Sequence, residues 1–168
     1  MSPPAPRCFG SGSGRRGPIS GDRNSRRYPK HPLLGVGALI FRRDSILLVE
    51  RGREPLKGHW SIPGGLVETG EKLAAAVERE VLEETGLQIR PLRIFEIFER
   101  IIPDASGRAE YHYVLIDYLC KLVSGAPRAG DDVSRVEWVR RAALAHYPLT
   151  EGTLNVIEKA FDARRERA

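Results

Sequence analysis

Five stretches of the chain combine β-branched and other apolar residues with few turn-forming residues, and each predicts a β-strand. They are residues 33–41, 45–50, 89–102, 110–123 and 133–139. The first two are separated by Arg42-Arg43-Asp44, and the third and fourth by the segment from Pro103 to Gly107, both of which have the composition of hairpin turns. The pattern therefore predicts two β-hairpins and a further strand.

A helix is predicted between the two hairpins, over residues 70–85. The Thr69 side chain can cap the first turn, Glu71 places negative charge near it, and Gly86 suits the left-handed conformation that follows many helices. The three alanines at positions 74–76 add helix propensity. This helix should lead the chain from the first hairpin to the second.

The predicted helix has two different faces. At about 100° of rotation per residue, three glutamates fall within an arc of roughly 100°. They are Glu80, Glu83 and Glu84. Alanine and valine side chains at positions 74, 77 and 81 lie on the adjoining side, where they can pack. We expect one buried stripe and one acidic stripe beside it.

A second helix is expected near the end of the chain. Thr150 can cap it, and its apolar contacts come from Leu154, Val156, Ile157 and Phe161. With the strands lying between two helices, the sequence predicts an α/β fold in which a mixed β-sheet carries a helix on each side.

Composition and charge divide the chain into two parts. With 168 residues, of which 41% are apolar, the chain can build the core of one domain, which we place at residues 33–168. Residues 1–32 are rich in Gly, Pro, Ser and Arg and predict a disordered basic tail. The tail has a net charge of +6 and the rest of the chain has −1, so no specific nucleic-acid partner is expected for the domain. Removal of residues 1–30 should then leave stability and turnover almost unchanged.

The same composition also limits which binding partners and which cellular compartment we expect. No apolar run approaches 18 residues, so no membrane partner is expected. The two cysteines, Cys8 and Cys120, do not form a disulfide framework, and this favours a cytoplasmic location. The four histidines have no cysteine or histidine partner at the spacing of a zinc site.

The acidic stripe suggests a divalent metal ion. Like charges three and four residues apart repel, so the three glutamates cost stability unless water or a cation neutralises them. Hard carboxylate oxygens favour Mg²⁺ or Mn²⁺ over zinc. A solvated helix face paired to Arg79 and Lys72 is the alternative interpretation. The preceding Ile62-Pro63-Gly64-Gly65 favours the metal, because its glycines bring bare backbone groups beside the carboxylates.

The whole stretch GLVETGEKLAAAVEREVLEETGL, from Gly65 to Leu87, has a recognisable spacing. Its fixed positions are Gly65, Glu71, Arg79, Glu80, Glu83, Glu84 and Gly86. It resembles a Nudix box in which every fixed position is filled, and the similarity in organisation runs from about Leu33 to Phe161. The resemblance implies an α/β/α sandwich and a hydrolase that uses Mg²⁺ or Mn²⁺ to cleave a nucleoside diphosphate linked to another moiety. It also implies that two copies can pair through their strands as a homodimer.

Site residues follow from the resemblance, position by position. The metal ligands would be Gly64 through its carbonyl, Glu80, Glu83 and Glu84. Arg79 joins Glu80 and Glu83 in the catalytic set, and with Glu71 it would hold loop and helix in register. The general base stays open among Glu83, an acid between Glu99 and Glu110, and the Asp131-Asp132 pair. Some members place a further glutamate ligand where residues 121–125 lie, and this chain has none there.

The substrate is predicted less directly. Members that hydrolyse ADP-ribose tend to carry a proline sixteen positions after the box, where Pro103 stands, although a hairpin proline would look the same. The motifs of coenzyme A and NADH pyrophosphatases are absent, which favours ADP-ribose or a related nucleotide sugar. Candidate substrate contacts are Arg51, which can clamp a phosphate, Tyr113, which can stack on a base, and Glu99.

Two alternative functions remain open at this stage. A nucleoside triphosphate pyrophosphohydrolase that cleans the nucleotide pool would share the box and differ in its pocket. A non-catalytic nucleotide-sensing module would bind without hydrolysis. The intact set of acids and the lack of an appended DNA-binding domain argue against the sensor.

Overall fold

The computed structural model describes residues 26–54, 56–130 and 132–165. The strands are β1 (Leu33–Arg42), β2 (Ser45–Arg51), β3 (Trp60–Ser61), β4 (Gly64–Leu66), β5 (Gln88–Pro103), β6 (Ala109–Ser124) and β7 (Val133–Arg140). The helices are α1 (Leu73–Thr85) and α2 (Thr153–Arg165), and a 3₁₀ helix, Arg141–His146, links β7 to α2. Both predicted hairpins, β1–β2 and β5–β6, are present.

The sheet contains parallel and antiparallel strand pairs, and β1 separates from its neighbour β2 along most of its length. Its strand order is β3-β2-β1-β6-β5, with β4 paired to β1 and β7 paired to β2. β1 runs parallel to β6 and antiparallel to β2, but it pairs with β2 only next to the turn, at Phe41 and Arg42. Nearer its start, β1 pairs with β4 instead, from Gly35 to Gly37. β1 and β2 therefore separate beyond the turn, and β4 joins the edge of β1 that is left open.

The two faces of the sheet have separate cores. Because side chains alternate along a strand, Val36, Ala38 and Ile40 of β1 face one core and Leu39 faces the other. The first core contains Val77 and Val81 of α1, and the second contains apolar residues of α2. The predicted α/β/α sandwich with a mixed sheet is confirmed.

The start of α1 differs from the sequence prediction. The helix begins at Leu73, three residues later than expected, and Thr69 does not cap it. Gly70 has a φ of 87°, which a right-handed helix cannot accommodate, and the Glu71 N–H donates to the Glu68 carbonyl at 3.0 Å. A turn therefore precedes the helix and frees Glu71 for another contact.

Other helix ends agree more closely with the sequence. Gly86 follows α1 with a φ of 69°, as predicted for the left-handed position. Thr150, predicted to cap α2, lies three residues before its first residue, Thr153; its carbonyl accepts the Thr153 N–H at 3.1 Å and the two hydroxyls are 2.7 Å apart. Neither helix in the described ranges is long and apolar enough to cross a membrane.

Two residues of the predicted tail contact the β5–β6 hairpin. Residues 1–25 of the predicted tail lie outside the described residues. Within the remainder, Arg27 forms an ion pair with Glu110 at 2.6 Å and the Tyr28 hydroxyl donates to Asp104 at 2.9 Å. These contacts hold residues 27 and 28 against the β5–β6 hairpin, and removal of residues 1–30 would delete them.

Candidate active site

The acidic stripe of α1 meets the backbone of β4. The Glu84 carboxylate accepts the Gly64 N–H at 2.8 Å. Glu80 lies so close to Gly65 that a Cβ atom there would come within 2.4 Å of the Glu80 carboxyl group. A Cβ atom at Gly64 would lie 2.1 Å from the Val36 carbonyl oxygen. Glycine at both positions therefore allows the backbone to approach the two carboxylates, and we call this group of Gly64, Gly65, Glu80 and Glu84 the acidic corner.

The carboxylates of the acidic corner are costly to ionise. Burial raises the pKa of Glu84 to about 8, and the nearby Glu80 charge adds to the effect, while the Gly64 N–H and Arg51 oppose it. Burial also raises the pKa of Glu80, against the hydrogen bond from Arg79. Because two partly buried carboxylates four residues apart on one helix repel each other, a nearby positive charge is needed to stabilise their ionised forms.

A divalent cation fits the donor set of this corner. Glu80 and Glu84 supply hard carboxylate oxygens, and Mg²⁺ is usually held by one or two carboxylates, with waters and substrate phosphates as its other ligands. Glu83 is more exposed: its side chain is 59% exposed and accepts a hydrogen bond at 3.3 Å from Arg79 Nη1, the nitrogen that also donates to Glu80. Across the described residues, no three Asp, Glu, His or Cys side chains converge as a metal site. Of the predicted ligands, Gly64, Glu80 and Glu84 lie together in the acidic corner, and Glu83 lines an adjoining opening with Glu80 and Glu84.

Arg79 organises the corner. Its guanidinium donates to both carboxylate oxygens of Glu71, each at 2.9 Å, to the Leu66 carbonyl at 3.1 Å and to Glu80 at 2.8 Å. These contacts lower the pKa of Glu71 to about 2 and raise the pKa of Arg79. Arg79 thus ties the turn before α1 to β4 and fixes the orientation of Glu80, in keeping with the architectural role implied by the resemblance.

A cleft adjoins the acidic corner on the α2 side of the sheet. It is partly open to solvent and reaches from Gly64 and Gly65 to the start of α2. Its floor is formed by β1, β6 and β5, and its lining includes three arginines, Arg26, Arg51 and Arg100. A second opening next to it contains Glu80, Glu84 and again Arg51. The two glutamates and the arginines therefore line two adjoining spaces that share Arg51.

The predicted substrate residues divide into two groups. Arg51 and Tyr113 line the cleft, as the sequence predicted. Glu99 does not line it, because its neighbours Phe98 and Arg100 face the cleft and side chains alternate along β5. The Glu99 side chain is 68% exposed and lies 3.8 Å from His112. Pro103 ends β5 and is not part of the lining.

The acids of the β6–β7 loop are only partly described. Asp132 lies at the second opening with Glu80 and Glu84 and forms an ion pair with Arg53 at 2.6 Å. Asp131, the other candidate base from this loop, lies outside the described residues. Glu110, a further candidate, is paired with Arg27.

Two cleft residues were missed by the sequence analysis. Asp117 is 3% exposed, and its burial raises its pKa to about 7. Burial also lowers the pKa of Arg100, whose Nη2 donates to the Thr150 hydroxyl at 3.3 Å and to the Glu151 carbonyl. A signal for Asp117 was present, because an aspartate in the apolar run VLIDYLC requires an explanation.

Comparisons with known proteins agree with this arrangement. Residues 31–160 match the model of the NUDIX domain family. The ADP-ribose pyrophosphatase of Methanocaldococcus jannaschii is 34% identical over 70% of this chain and 67% of its own length. The human 8-oxo-dGDP phosphatase NUDT18 is 32% identical over 78% of this chain, which spans only 39% of that protein.

Solved structures share the fold. The crystal structure of a MutT NUDIX hydrolase from Burkholderia pseudomallei aligns with a TM-score of 0.65 at 34% identity, covering 77% of this chain and 98% of that chain. The NUDIX domain of Shewanella oneidensis NrtR complexed with ADP ribose aligns with the same TM-score, 0.65, at 27% identity. That alignment covers 80% of this chain and 89% of the Shewanella chain.

Proposed function

This chain belongs to the NUDIX family, and we propose that it uses Mg²⁺ or Mn²⁺ to hydrolyse the pyrophosphate bond of ADP-ribose or a related nucleoside diphosphate sugar. The observation that carries the proposal is the junction of the acidic corner with the cleft at Gly64 and Gly65. One side of that junction offers carboxylates for a metal ion and the other offers arginines for phosphates.

The acidic and basic residues of the site have different proposed roles. Glu80, Glu84 and the Gly64 backbone would hold the metal ion, which when bound neutralises phosphate charge and polarises the attacked phosphorus. Arg51 would bind the diphosphate from the cleft side. Glu83, exposed at a third opening that also contains Glu80 and Glu84, is our candidate for the group that accepts the proton of the attacking water. A water O–P bond forms, the bridging P–O bond breaks, and AMP and ribose 5-phosphate leave.

The choice of ADP-ribose is supported by relatives. One relative is named as an ADP-ribose pyrophosphatase, and a structural relative was crystallised with ADP ribose. The 8-oxo-dGDP phosphatase relative favours a second candidate, an enzyme acting on oxidised nucleotides.

A nucleotide panel tests the proposal. Purified protein with Mg²⁺ would be incubated with ADP-ribose, UDP-glucose, 8-oxo-dGDP and 8-oxo-dGTP, and the products separated by anion-exchange chromatography. We expect AMP and ribose 5-phosphate from ADP-ribose at the highest kcat/KM. Release of inorganic phosphate from 8-oxo-dGDP, or of pyrophosphate from 8-oxo-dGTP, at a higher kcat/KM would favour the second candidate. ADP-ribose binding without turnover would indicate a sensor.

Two properties of the whole protein complete the proposal. We propose a homodimer formed along β5, because this strand lies at the edge of the sheet and exposes Ile97 and Ile101, each more than half exposed. We also propose a cytoplasmic location, which is supported by the free buried thiol of Cys120. Light scattering after gel filtration tests the dimer, and a single-chain mass would refute it.

A further inference from the structure

Asp117 is a buried acid without a hydrogen-bonding partner among the described residues. It lies in the middle of β6, between Ile116 and Tyr118, which both belong to the core beneath α1. Its own side chain points to the opposite face of the sheet and lines the cleft. Asp117 is 3% exposed, and burial raises its pKa. The charge of Glu96 raises this pKa further and the charge of Arg100 lowers it, and no hydrogen bond from the described residues contributes.

The described residues give this carboxyl group no hydrogen bond. Arg100 is the nearby cation; its Nη2 donates to the Thr150 hydroxyl and the Glu151 carbonyl, and its Nε is, like Asp117, buried without a hydrogen-bonding partner in the described part of the chain. Glu96 carries the same charge as Asp117 and opposes its ionisation. Buried polar groups in proteins are nearly always satisfied, so one that lines a cleft is expected to meet its partner in a ligand.

The surroundings of Asp117 suit a flat aromatic ligand. Gly37 lies beside it on β1, and a Cβ atom at that position would come within 2.3 Å of the Asp117 carboxyl oxygen. The glycine therefore keeps the carboxyl group clear of a neighbouring side chain. Phe98 and Tyr113 line the same cleft and provide ring surface for a base.

We propose that Asp117 determines the base specificity of the enzyme by hydrogen bonding to the edge of the substrate adenine; this rests on the proposed function, which places a nucleotide in the cleft. Burial favours the neutral carboxyl group, which offers one O–H donor beside one carbonyl acceptor. The adenine edge presents the matching pair, a ring nitrogen that accepts and an amino group that donates. On the N7 side of the base, adenine offers N7 as the acceptor and its amino group as the donor, whereas guanine offers two acceptors, N7 and O6, and does not match.

The test compares bases with the sugar and phosphates held constant. Kinetics would be measured on ADP-ribose and GDP-ribose for the wild type, Asp117→Asn and Asp117→Ala. Asparagine keeps a donor and an acceptor in the same shape, so Asp117→Asn should hold KM for ADP-ribose within about threefold. Asp117→Ala should raise that KM by about tenfold to a hundredfold with a smaller effect on kcat, and its preference for adenine over guanine should collapse.

A matched control separates specificity from stability. Cys120 lies on the same strand but faces the core beneath α1, so Cys120→Ala should lower the melting temperature without changing the adenine preference. An unchanged base preference in Asp117→Ala, or an equal loss in Asp117→Asn, would overturn the proposal. If Asp117→Ala does not fold, Asp117→Leu takes its place, because leucine fills a similar space and lacks both the donor and the acceptor; the same loss of adenine preference is expected, and an unchanged preference would overturn the proposal.

Failure of the proposed function would be visible separately. If the wild type hydrolyses no ADP-ribose, calorimetric titration with AMP and GMP still tests Asp117. Tighter binding of AMP than GMP that depends on Asp117 would support the base contact without the reaction. Equal binding of AMP and GMP by the wild type and Asp117→Ala would refute it.

Discussion

Glu84→Gln should stabilise the metal-free protein at alkaline pH. The Glu84 carboxyl group is partly buried against Gly64, and its pKa is about 8 in the folded protein, compared with an ordinary value of 4.5. Between these two pH values the folded protein holds a proton that the unfolded chain has lost, so stability falls as the pH rises. A glutamine side chain at position 84 can still accept the Gly64 N–H but does not ionise. Glu84→Gln should therefore not lose stability as the pH rises through this interval.

The size of the effect follows from the two pKa values. Each pH unit between them corresponds to about 1.4 kcal/mol in the free energy of unfolding. The interval from 4.5 to about 8 therefore sets an upper limit of roughly 5 kcal/mol above pH 8. Because the Glu84 side chain is only partly shielded from solvent, we expect about 2–3 kcal/mol. For a protein of this length that corresponds to roughly 5–10 °C in melting temperature.

The assay is thermal unfolding of chelator-treated protein at pH 5 and pH 8.5. Glu84→Gln should match the wild type at pH 5 and exceed it at pH 8.5, while Glu78→Gln, exposed on the same helix, should follow the wild type at both. Added Mg²⁺ should stabilise the wild type more than Glu84→Gln. If the melting temperatures of the wild type and Glu84→Gln changed equally between pH 5 and pH 8.5, ionisation of the partly buried Glu84 would not lower the stability of the protein, and the reasoning would be refuted.

Two further predictions concern the contacts around the site. Arg79 lowers the pKa of Glu71 from 4.5 to about 2, so the stability from this pair is complete above pH 4.5 and is lost as the pH falls toward 2. Glu71→Gln should therefore lower the melting temperature at pH 7 and flatten its fall below pH 4.5; an unchanged acid profile would contradict this. Removal of residues 1–30 deletes the Tyr28 contacts and should lower the melting temperature, whereas removal of residues 1–25 keeps them and serves as the control. Equal melting temperatures for the two truncated proteins would show that the Tyr28 contacts contribute nothing.

Local chemistry explains what the sequence predicted well. The five long strands and α1 carry their own periodicity, and Gly86 can be assigned from the conformation that it permits. The start of α1 was placed too early because Gly70 has no local signal that separates a turn from a first helical residue. Gly70 has a positive φ, and the next residue, Glu71, binds Arg79 of the helix, a contact between residues eight positions apart.

Long-range geometry explains what the sequence did not predict. The cleft exists because β1 leaves β2 beyond the turn and pairs with β4, and no local pattern records that separation. Asp117 and Arg100 meet in the cleft only through pairing between β5 and β6. The three glutamates share a helix face by periodicity, yet only Glu84 accepts the Gly64 N–H, while Glu83 remains largely exposed.

The central claim is that the acidic corner performs metal-dependent hydrolysis, and turnover of ADP-ribose at saturating Mg²⁺ by matched glutamine variants tests it most directly. Glu80→Gln and Glu84→Gln each remove one charged ligand from the corner, and turnover should fall by at least about a hundredfold. Glu78→Gln, on an exposed part of the same helix, should keep nearly full turnover. Indistinguishable turnover for Glu84→Gln and Glu78→Gln would contradict the claim and leave the glutamates as ordinary surface charge.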